Sequence, residues 1–459
     1  MYQVDFQKPV HVYFIGIGGI SMSGLAEILL AEGFRISGSD ARRSPLTSLL
    51  EERGAVVHYG QRRENIGGDI DVAVYTAAIH PDNPEYARVQ ELGIPCLSRA
   101  QLLGQMMRNY ETPIAVSGTH GKTTTTSMIS QILLDADTDP TISVGGILKA
   151  IHGNIRVGGS GLFVTEACEY TNSFLSFFPR IGLILNVEED HLDFFRDLED
   201  IRCSFRRFAG LLPDDGLLII NGGIERREEL TRGLACPVVT FGLSEREDYH
   251  CTGISYDENG CPSFLLHCPD GKQIPVHLSV PGEHNILNAL ASLALADRLG
   301  LDMAAAAASL GAFHGTDRRF EYKGVKNGFT IIDDYAHHPT EISATLRAAA
   351  HYPHKRLWCV FQPHTYTRTK AFLADFARAL SLADKVILAD IYAARETDTL
   401  GISSLDLKKE IEKLGKDCAY FPTFEEIEGF ILQNCSTGDL LITMGAGDVV
   451  NIGADLLRE

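Results

Sequence analysis

Short apolar runs recur along the chain, and each is followed by a glycine-rich or polar loop and then by a helical pattern. In the first block, up to about Asn109, these runs are His11–Ile15, Phe34–Ser37, Ala73–Tyr75 and Ile94–Leu97. Apolar runs of this length, bounded by turn residues, are typical of strands, and a helix is predicted to begin near Ser23. The alternation predicts a βαβ domain of dinucleotide-binding type.

The middle block, from about Tyr110 to Arg318, repeats the order of strand, loop and helix. Its predicted strands are Pro113–Val116, Leu162–Thr165 and Ile181–Val187. Turn sequences at 258–260 and 269–271 then separate alternating segments, which predicts hairpins. The same segments could instead form a zinc site from His250, Cys251, Cys261, His267 and Cys268. We favour the hairpins, because turn chemistry explains the segment without a metal.

The third block, from about Arg319 to Glu459, again alternates strands and helices. Its predicted strands are Phe329–Asp333, Leu357–Phe361, Lys385–Ala389, Ala419–Phe421 and Leu440–Thr443. Polar or glycine-rich loops follow them at 334–338, 362–364, 391–396 and 445–448, which would meet at one end of a parallel sheet. We predict an α/β protein of three domains: a Rossmann-like domain at 1–109, a central P-loop ATPase-like domain with a mostly parallel sheet at 110–318, and a second Rossmann-like domain at 319–459.

Composition narrows the class of protein. The chain has 459 residues, a hydrophobic content of 45% and a formal net charge of −19. Such a charge argues against nucleic acid or an anionic membrane surface as partner, since both need basic patches. Ten cysteines without a Cys-x-x-Cys pair suggest reduced thiols. No signal peptide and no membrane-spanning run of ~20 apolar residues is evident, so we expect a cytoplasmic enzyme.

The loop after Pro113–Val116 is the most informative stretch. Its residues are Gly118, Thr119, His120, Gly121, Lys122, Thr123 and Thr124, and a helix with apolar residues on one face follows. Glycines let backbone N–H groups point at phosphate oxygens, and a helix N-terminus adds partial positive charge. Lys122 would meet the β- and γ-phosphates of ATP, and the Thr123 hydroxyl would ligate Mg²⁺. Val116 stands where the strict pattern has glycine, and a threonine-rich cap on an ordinary helix is the simpler alternative.

A second glycine loop opens the chain. Gly16, Gly18, Gly19 and Ser21 follow the first strand, and Asp40 ends the second. Such a loop suits a diphosphate of any kind. Ser21 replaces the third glycine of the nicotinamide-nucleotide fingerprint, and a tight strand-to-helix turn would give the same sequence.

Further polar residues lie where other strands end. Glu166 and His191 are placed to complete a metal site with Thr123, although acidic residues there could simply mark a solvated loop. His284, Asn285 and Asn288 begin a later helix and could either cap it or face the adenine.

Taken in order, these loops resemble the Mur ligases of peptidoglycan synthesis, over essentially the whole chain. The motifs that carry the resemblance are GIGGISMSGLA (16–26), GTHGKTTTT (118–126), EACEYTNSFL (166–175), NVEEDHLD (186–193), HNILNALA (284–291), GTDRRFE (315–321), DDYAHHPTE (333–341), QPHTYTRT (362–369) and DIYAARE (390–396). Ser21 stands where the alanine-adding members usually have glycine, and Thr365 where they usually have arginine. The lysine that related ligases carbamylate has no evident counterpart.

The resemblance implies a reaction and a role for each matched residue. The resemblance assigns Lys122 to the γ-phosphate and Asn288 to the adenine nucleotide. It assigns Mg²⁺ to Thr123, Glu166 and His191. Arg319, His337, His364 and Arg368 fall where the family handles the transferred phosphate and the amino acid. The implied reaction joins L-alanine to UDP-N-acetylmuramate with ATP, by a monomer or homodimer. A recycling ligase for a murein tripeptide, a nicotinamide-dependent oxidoreductase and a non-catalytic nucleotide-binding regulator are the alternatives.

Overall fold

The computed structural model describes residues 2–76, 78–394 and 396–458. Its first sheet is entirely parallel, with strand order β3-β2-β1-β4-β5. The strands are β1 (His11–Ile15), β2 (Arg35–Asp40), β3 (Val56–Tyr59), β4 (Val72–Tyr75) and β5 (Cys96–Ser98). The helices are α1 (Ile20–Ala31), α2 (Pro45–Glu52), α3 (Pro84–Glu91) and α4 (Arg99–Met107). This order is the half-Rossmann arrangement expected from the first block.

The second sheet has ten strands, most of them parallel. They are β6 (Thr112–Ser117), β7 (Thr141–Leu148), β8 (Gly153–Arg156), β9 (Leu162–Ala167), β10 (Ile181–Ile184), β11 (Leu217–Asn221), β12 (Val238–Gly242), β13 (Tyr249–Tyr256), β14 (Pro262–His267) and β15 (Gln273–His277). Its spatial order is β15-β14-β13-β12-β11-β10-β6-β9-β7-β8. The associated helices are α5 (Lys122–Asp135), α6 (Leu198–Ala209), α7 (Arg227–Thr231), α8 (His284–Arg298) and α9 (Met303–Ala312). Antiparallel pairing of β13, β14 and β15 confirms the hairpins predicted there.

The third sheet has the order β16-β17-β21-β18-β19-β20 and is parallel except for the edge strand β16. Its strands are β16 (Glu321–Lys326), β17 (Phe329–Asp334), β18 (Leu357–Phe361), β19 (Lys385–Leu388), β20 (Cys418–Tyr420) and β21 (Leu440–Met444). The helices are α10 (Pro339–His351), α11 (Tyr366–Ala371), α12 (Leu373–Leu380), α13 (Ser404–Lys413), α14 (Phe424–Asn434) and α15 (Val450–Arg458). The predicted fold class, with three α/β domains and a mostly parallel central sheet, is thus confirmed.

Some predicted bounds differ from the structure. Helix α1 begins at Ile20 rather than near Ser23, because Gly19 already has the extended backbone of an N-cap. The predicted strand at 181–187 ends at Ile184, where the chain turns into a polar loop. Strands β3, β7, β8, β11, β12 and β16 were not predicted. In the described residues, no helix is both long and apolar enough to cross a membrane.

A hydrophobic core connects the first two units but does not extend into the third. One cluster of buried side chains runs through the first two sheets and joins, for example, Leu103 on α4 to Phe163 on β9 and Phe174 beyond it. The third sheet has its own clusters on its two faces, built from residues after 328. The first two units are therefore joined by apolar packing, whereas the third is not part of that shared core.

Candidate functional site

The loop at 118–121 connects β6 to α5 and depends on two glycines with positive φ. Gly118 and Gly121 have φ of 148° and 83°, which only glycine adopts without strain. A Cβ on Gly121 would lie 2.6 Å from Asn288 Oδ1, so the loop is pressed against α8. The backbone N–H of His120 donates to Asn186 Oδ1 at 2.8 Å, and Asn186 donates back to the His120 carbonyl. The loop is thereby fixed to the chain that follows β10.

Lys122 is the first residue of α5, and its ammonium is buried against a carboxylate. Nζ donates to Glu169 Oε2 at 2.9 Å and to the carbonyls of Gly118 and Thr119. Burial lowers the pKa of this lysine, but the charge of Glu169 outweighs burial, so the net shift is upward. Lys122 is therefore a protonated cation at the loop.

The residues predicted for the metal site are brought together in part. The Thr123 hydroxyl donates to Glu166 Oε2 at 3.1 Å. His191, with a φ of 53°, places Nε2 3.6 Å from Glu169 Oε1, and Glu169 thus stands between His191 and the loop. Within the described residues no three His, Cys, Asp or Glu side chains form a ready metal cage. The donor set of Thr123 and Glu166 still fits Mg²⁺, because both offer oxygens and the buried Glu169 Oε1 has no hydrogen-bond partner.

A cavity of about 750 Å³ lies beside the loop and is shared by the second and third units. Its lining includes His120, Gly121, Thr124, His284, Asn285 and Asn288, all predicted to bind ATP. Asn288 accepts from the Thr125 hydroxyl at 3.1 Å and donates to Asn285 Oδ1 at 3.0 Å. Asn285 in turn donates to the Pro281 carbonyl, whereas α8 has no side-chain N-cap. These asparagines brace the cavity wall rather than cap α8 through the usual N-cap position.

The third unit contributes the N-terminus of α10 to this region. His338, not His337, is the N-cap of α10, and its Nδ1 accepts from the Thr340 N–H. His337 Nδ1 lies 3.0 Å from the Tyr335 carbonyl, and since a carbonyl only accepts, Nδ1 carries the proton. The lone pair of neutral His337 is therefore on Nε2. Burial lowers the pKa of His337, so the neutral form is favoured.

Glu341 joins this turn to the phosphate loop. Its Oε2 accepts from the backbone N–H of His337 at 3.1 Å, and its Oε1 lies 3.3 Å from His120 Nδ1 across the domain boundary. Burial raises the pKa of Glu341, but the neighbouring histidines and Arg319 outweigh it and hold the pKa well below its usual value. Thr340 adds a second link, because its hydroxyl donates to Glu188 at 2.9 Å.

The two consecutive arginines near 318 have different environments. Arg319 lines the cavity, and its guanidinium lies 4.0 Å from Glu341 Oε1 and over the Tyr335 ring. Arg318 instead donates to the buried carboxylate of Asp333 and to the Gly445 carbonyl. Of these two arginines, Arg319 lines the cavity, whereas Arg318 holds the third sheet together.

His364 and Arg368 lie together after β18. Arg368 donates to Asp190 Oδ1 through Nε and Nη2, at 3.1 and 2.9 Å, and Nη1 lies 3.1 Å from His364 Nδ1. Asp190 belongs to the second unit, so this is a buried ion pair across the domain boundary. Thr365 between them has a φ of 67°, which is strained for a β-branched residue. Arg395, in the last motif of the resemblance, lies outside the described residues.

The glycine loop of the first unit is a compact strand-to-helix turn. Gly16 has a φ of 84°, the Gly18 N–H donates to Asp40 Oδ2 at 2.8 Å, and Gly19 is the N-cap of α1. A Cβ on Gly18 would lie 2.7 Å from the same Asp40 oxygen. Ser21 is exposed in the first turn of α1. Asp40 thus shapes the loop, while the N-terminus of α1 stays open to solvent.

Three acidic residues of the site were not predicted: Glu169, Asp190 and Glu341. Glu341 had a sequence signal, because a carboxylate three residues after an N-cap is the capping-box pattern. Glu169 and Asp190 pair with cations that are distant in sequence, and no spacing rule points to such partners.

Family models match this chain in each of its three units. The Mur ligase family catalytic domain matches residues 11–111, the Mur ligase middle domain residues 116–296, and the Mur ligase glutamate ligase domain residues 318–447. A UDP-N-acetylmuramate–L-alanine ligase from Agathobacter rectalis is 60% identical over 459 residues and all of both chains. Another from Caldanaerobacter subterraneus is 52% identical, with 100% of this chain and 99% of the relative covered.

Two solved structures match nearly the whole chain. The crystal structure of a UDP-N-acetylmuramate–alanine ligase from Thermotoga maritima matches with a TM-score of 0.80 and 29% identity, over 98% of both chains. A murein peptide ligase from Psychrobacter arcticus matches with a TM-score of 0.71 and 26% identity, again over 98% of both chains. The chain belongs to the Mur ligase family.

Proposed function

We propose that this enzyme joins L-alanine to the lactyl carboxylate of UDP-N-acetylmuramate, with ATP giving ADP and phosphate through an acyl phosphate. The observation that carries the chemistry is that the phosphate loop and Arg319 line one cavity, while His120 and Asp190 of the second unit contact Glu341 and Arg368 of the third. The choice of L-alanine is supported by the 60% identical relative that bears this activity in its name.

The first step transfers a phosphoryl group between two anions, so cations must offset their repulsion. Our candidates for this task are Lys122 at the phosphate loop, Arg319 in the cavity lining and Arg368 beside Asp190. A preorganised charge of this kind contributes about 3–4 kcal/mol to lowering a barrier. Thr123, Glu166 and His191 are the residues that would hold Mg²⁺, which would supply positive charge beside the phosphates.

In the second step the alanine amine attacks the acyl carbon and expels phosphate. The amine is mostly protonated at neutral pH, so it needs a base. His337 is our candidate, because its Nδ1 proton is held by the Tyr335 carbonyl and Nε2 is left as the acceptor. Docking of the third unit on the second would also keep out the water that hydrolyses an acyl phosphate.

The remaining assignments are part of the same proposal. UDP-N-acetylmuramate binds the first unit through Gly16, Gly18, Gly19 and Ser21, with Asp40 holding the loop in shape. The domain limits 1–109, 110–318 and 319–459 are supported by the three sheets, which fall within them. An enzyme that uses ATP and has ten free thiols fits the cytoplasm.

One assay separates this function from the alternatives. ADP release should require both UDP-N-acetylmuramate and L-alanine, and a murein tripeptide should not replace alanine. Lys122→Ala should abolish ligation but leave UDP-N-acetylmuramate affinity within a few-fold, because that ligand binds the first unit. Preference for the tripeptide would identify a recycling ligase. Absence of any coupled ADP release in the folded protein would favour a regulator or an oxidoreductase.

A further inference from the structure

Lys122 is fully engaged in a region where a phosphate is expected to bind. Its ammonium has three protons, and the carbonyls of Gly118 and Thr119 and the Glu169 carboxylate accept from it. A phosphate oxygen can therefore form a strong hydrogen bond with Lys122 only if one of these three bonds is broken. The two carbonyls belong to the phosphate loop itself, so Glu169 is the acceptor that can leave.

Glu169 also carries a charge that opposes nucleotide binding. Its side chain is 2% exposed, and it lies directly beside Lys122. A buried carboxylate close to phosphates repels them, because charges away from water are poorly screened. While Glu169 is paired with Lys122, the ammonium of Lys122 is not available to the nucleotide. The carboxylate of Glu169 also adds a negative charge beside the phosphates.

The other oxygen of Glu169 faces the predicted metal region. Oε1 is buried without a hydrogen-bond partner and lies 3.6 Å from His191 Nε2. A buried carboxylate that loses its ion-pair partner is strongly unfavourable unless another cation replaces it. A divalent cation bound near His191 would supply that replacement, because Oε1 already lies beside this histidine.

We propose that Glu169 is a placeholder for the nucleotide: it pairs with Lys122 until a phosphate replaces it, and the released carboxylate then faces the divalent cation. The inference rests on the proposed ATP site. The exchange keeps both buried charges compensated before and after binding. It also favours the magnesium complex of ATP over free ATP, since only the complex brings a cation for Glu169.

Equilibrium binding of a non-hydrolysable ATP analogue tests this exchange, measured by calorimetry with a chelator and with excess Mg²⁺. Glu169→Gln removes the charge and releases Lys122, so Mg²⁺-free affinity should rise about tenfold, the effect of one charge-assisted bond. The enhancement of affinity by Mg²⁺ should shrink in the same variant. A gain in affinity cannot come from damage to the fold.

The control is Glu189→Gln, which removes one exposed carboxylate from the loop that carries His191 and should change affinity by less than about twofold. Glu169→Asp keeps the charge but shortens the reach to Lys122, so it should raise Mg²⁺-free affinity by less and retain the Mg²⁺ effect. Equal or weaker Mg²⁺-free binding in either Glu169 variant, with an unchanged melting temperature, overturns the placeholder. Failure of the wild-type protein to bind the analogue with Mg²⁺ would instead overturn the proposed ATP site.

Discussion

At the scale of single residues, a substitution of His337 distinguishes most directly between a role in catalysis and a role in the fold. The N-cap of α10 is His338 rather than His337, so the His337 side chain has no capping role in this helix. His337→Ala should therefore bind ATP and UDP-N-acetylmuramate nearly normally but lose ~10²–10⁴ in turnover, the usual range for one acid–base group. Hydroxylamine, which attacks without prior deprotonation, should recover part of the rate as hydroxamate.

The pH profile gives an independent check on His337. Burial lowers its pKa, so the imidazole stays neutral to a lower pH than in water and turnover should fall only on the acid side, below the usual value of ~6.5. The His337→Ala profile should lack that acid limb. Turnover within threefold of wild type would exclude a catalytic role.

Glu166 is the second residue with a sharp test. Its two oxygens accept from the Thr123 hydroxyl and from the Gly145 N–H. Glu166→Gln keeps the shape but removes the negative charge, so the Mg²⁺ concentration for half-maximal activity should rise sharply. A titration of activity against Mg²⁺ measures this, and the Glu189→Gln protein serves as reference. Superimposable titrations would assign Glu166 to the solvated-loop alternative.

At the scale of elements, α4 shows how closely the first two units are joined. A Cβ on Gly104 would lie 1.9 Å from the Ser176 carbonyl oxygen. Because this is a contact with backbone, it can be relieved only if α4 and the segment at Ser176 move apart. Gly104→Ala should therefore destabilise the protein by several kcal/mol, as overpacking does at its upper end. Thermal unfolding measures the change. Gly429→Ala, in α14 with open space around its Cβ, should stabilise by about 0.5–1 kcal/mol. Equal melting temperatures for the two variants would contradict the close contact.

Elements differed in how far the sequence could predict them. Central strands such as β6 and β18 are continuous apolar runs and were found, because parallel strands are buried on both faces. Among the missed strands, β8 and β16 are half-exposed edge strands with polar residues and no clear alternation, whereas β11 is buried at every position and was missed although its sequence is mostly apolar. The loops of the site were predicted because they follow found strands. Their partners were not, since His120 and Glu341 are 221 residues apart and meet only through the packing of two domains.

At the scale of the whole molecule, the two domain boundaries differ in chemistry. The first and second units share one hydrophobic cluster. The contacts that link the third unit to the phosphate loop and the β10 loop are polar, and include His120–Glu341, Thr340–Glu188 and Arg368–Asp190. Polar contacts can be exchanged for water at low cost, whereas apolar ones cannot. We therefore expect the third unit to be the one that moves.

The His120–Glu341 contact makes this movement depend on pH. Burial lowers the pKa of His120, but the bond to Glu341 and the nearby carboxylates outweigh it, so docking raises the pKa above ~6.5. Docking thus takes up a proton: its benefit is fully present below ~6.5 and is lost as pH rises through the raised value. Glu341 has a lowered pKa, so its own contribution is lost only under acid conditions, below about 4.5. As pH rises above ~6.5, the docked form should therefore lose this stabilisation and the open form should become more populated.

Small-angle X-ray scattering without nucleotide measures this change as an increase in the radius of gyration with pH. His338, whose pKa burial lowers to about 4, stays neutral over the range and does not contribute. His120→Gln cannot take up the proton, so its radius should not vary with pH. Lys8→Gln, which removes an exposed positive charge far from the boundary along the chain, should behave like wild type. A wild-type radius that stays constant as pH rises from ~6.5 to alkaline values, or a pH dependence that survives in His120→Gln, would show that this histidine does not control docking of the third domain.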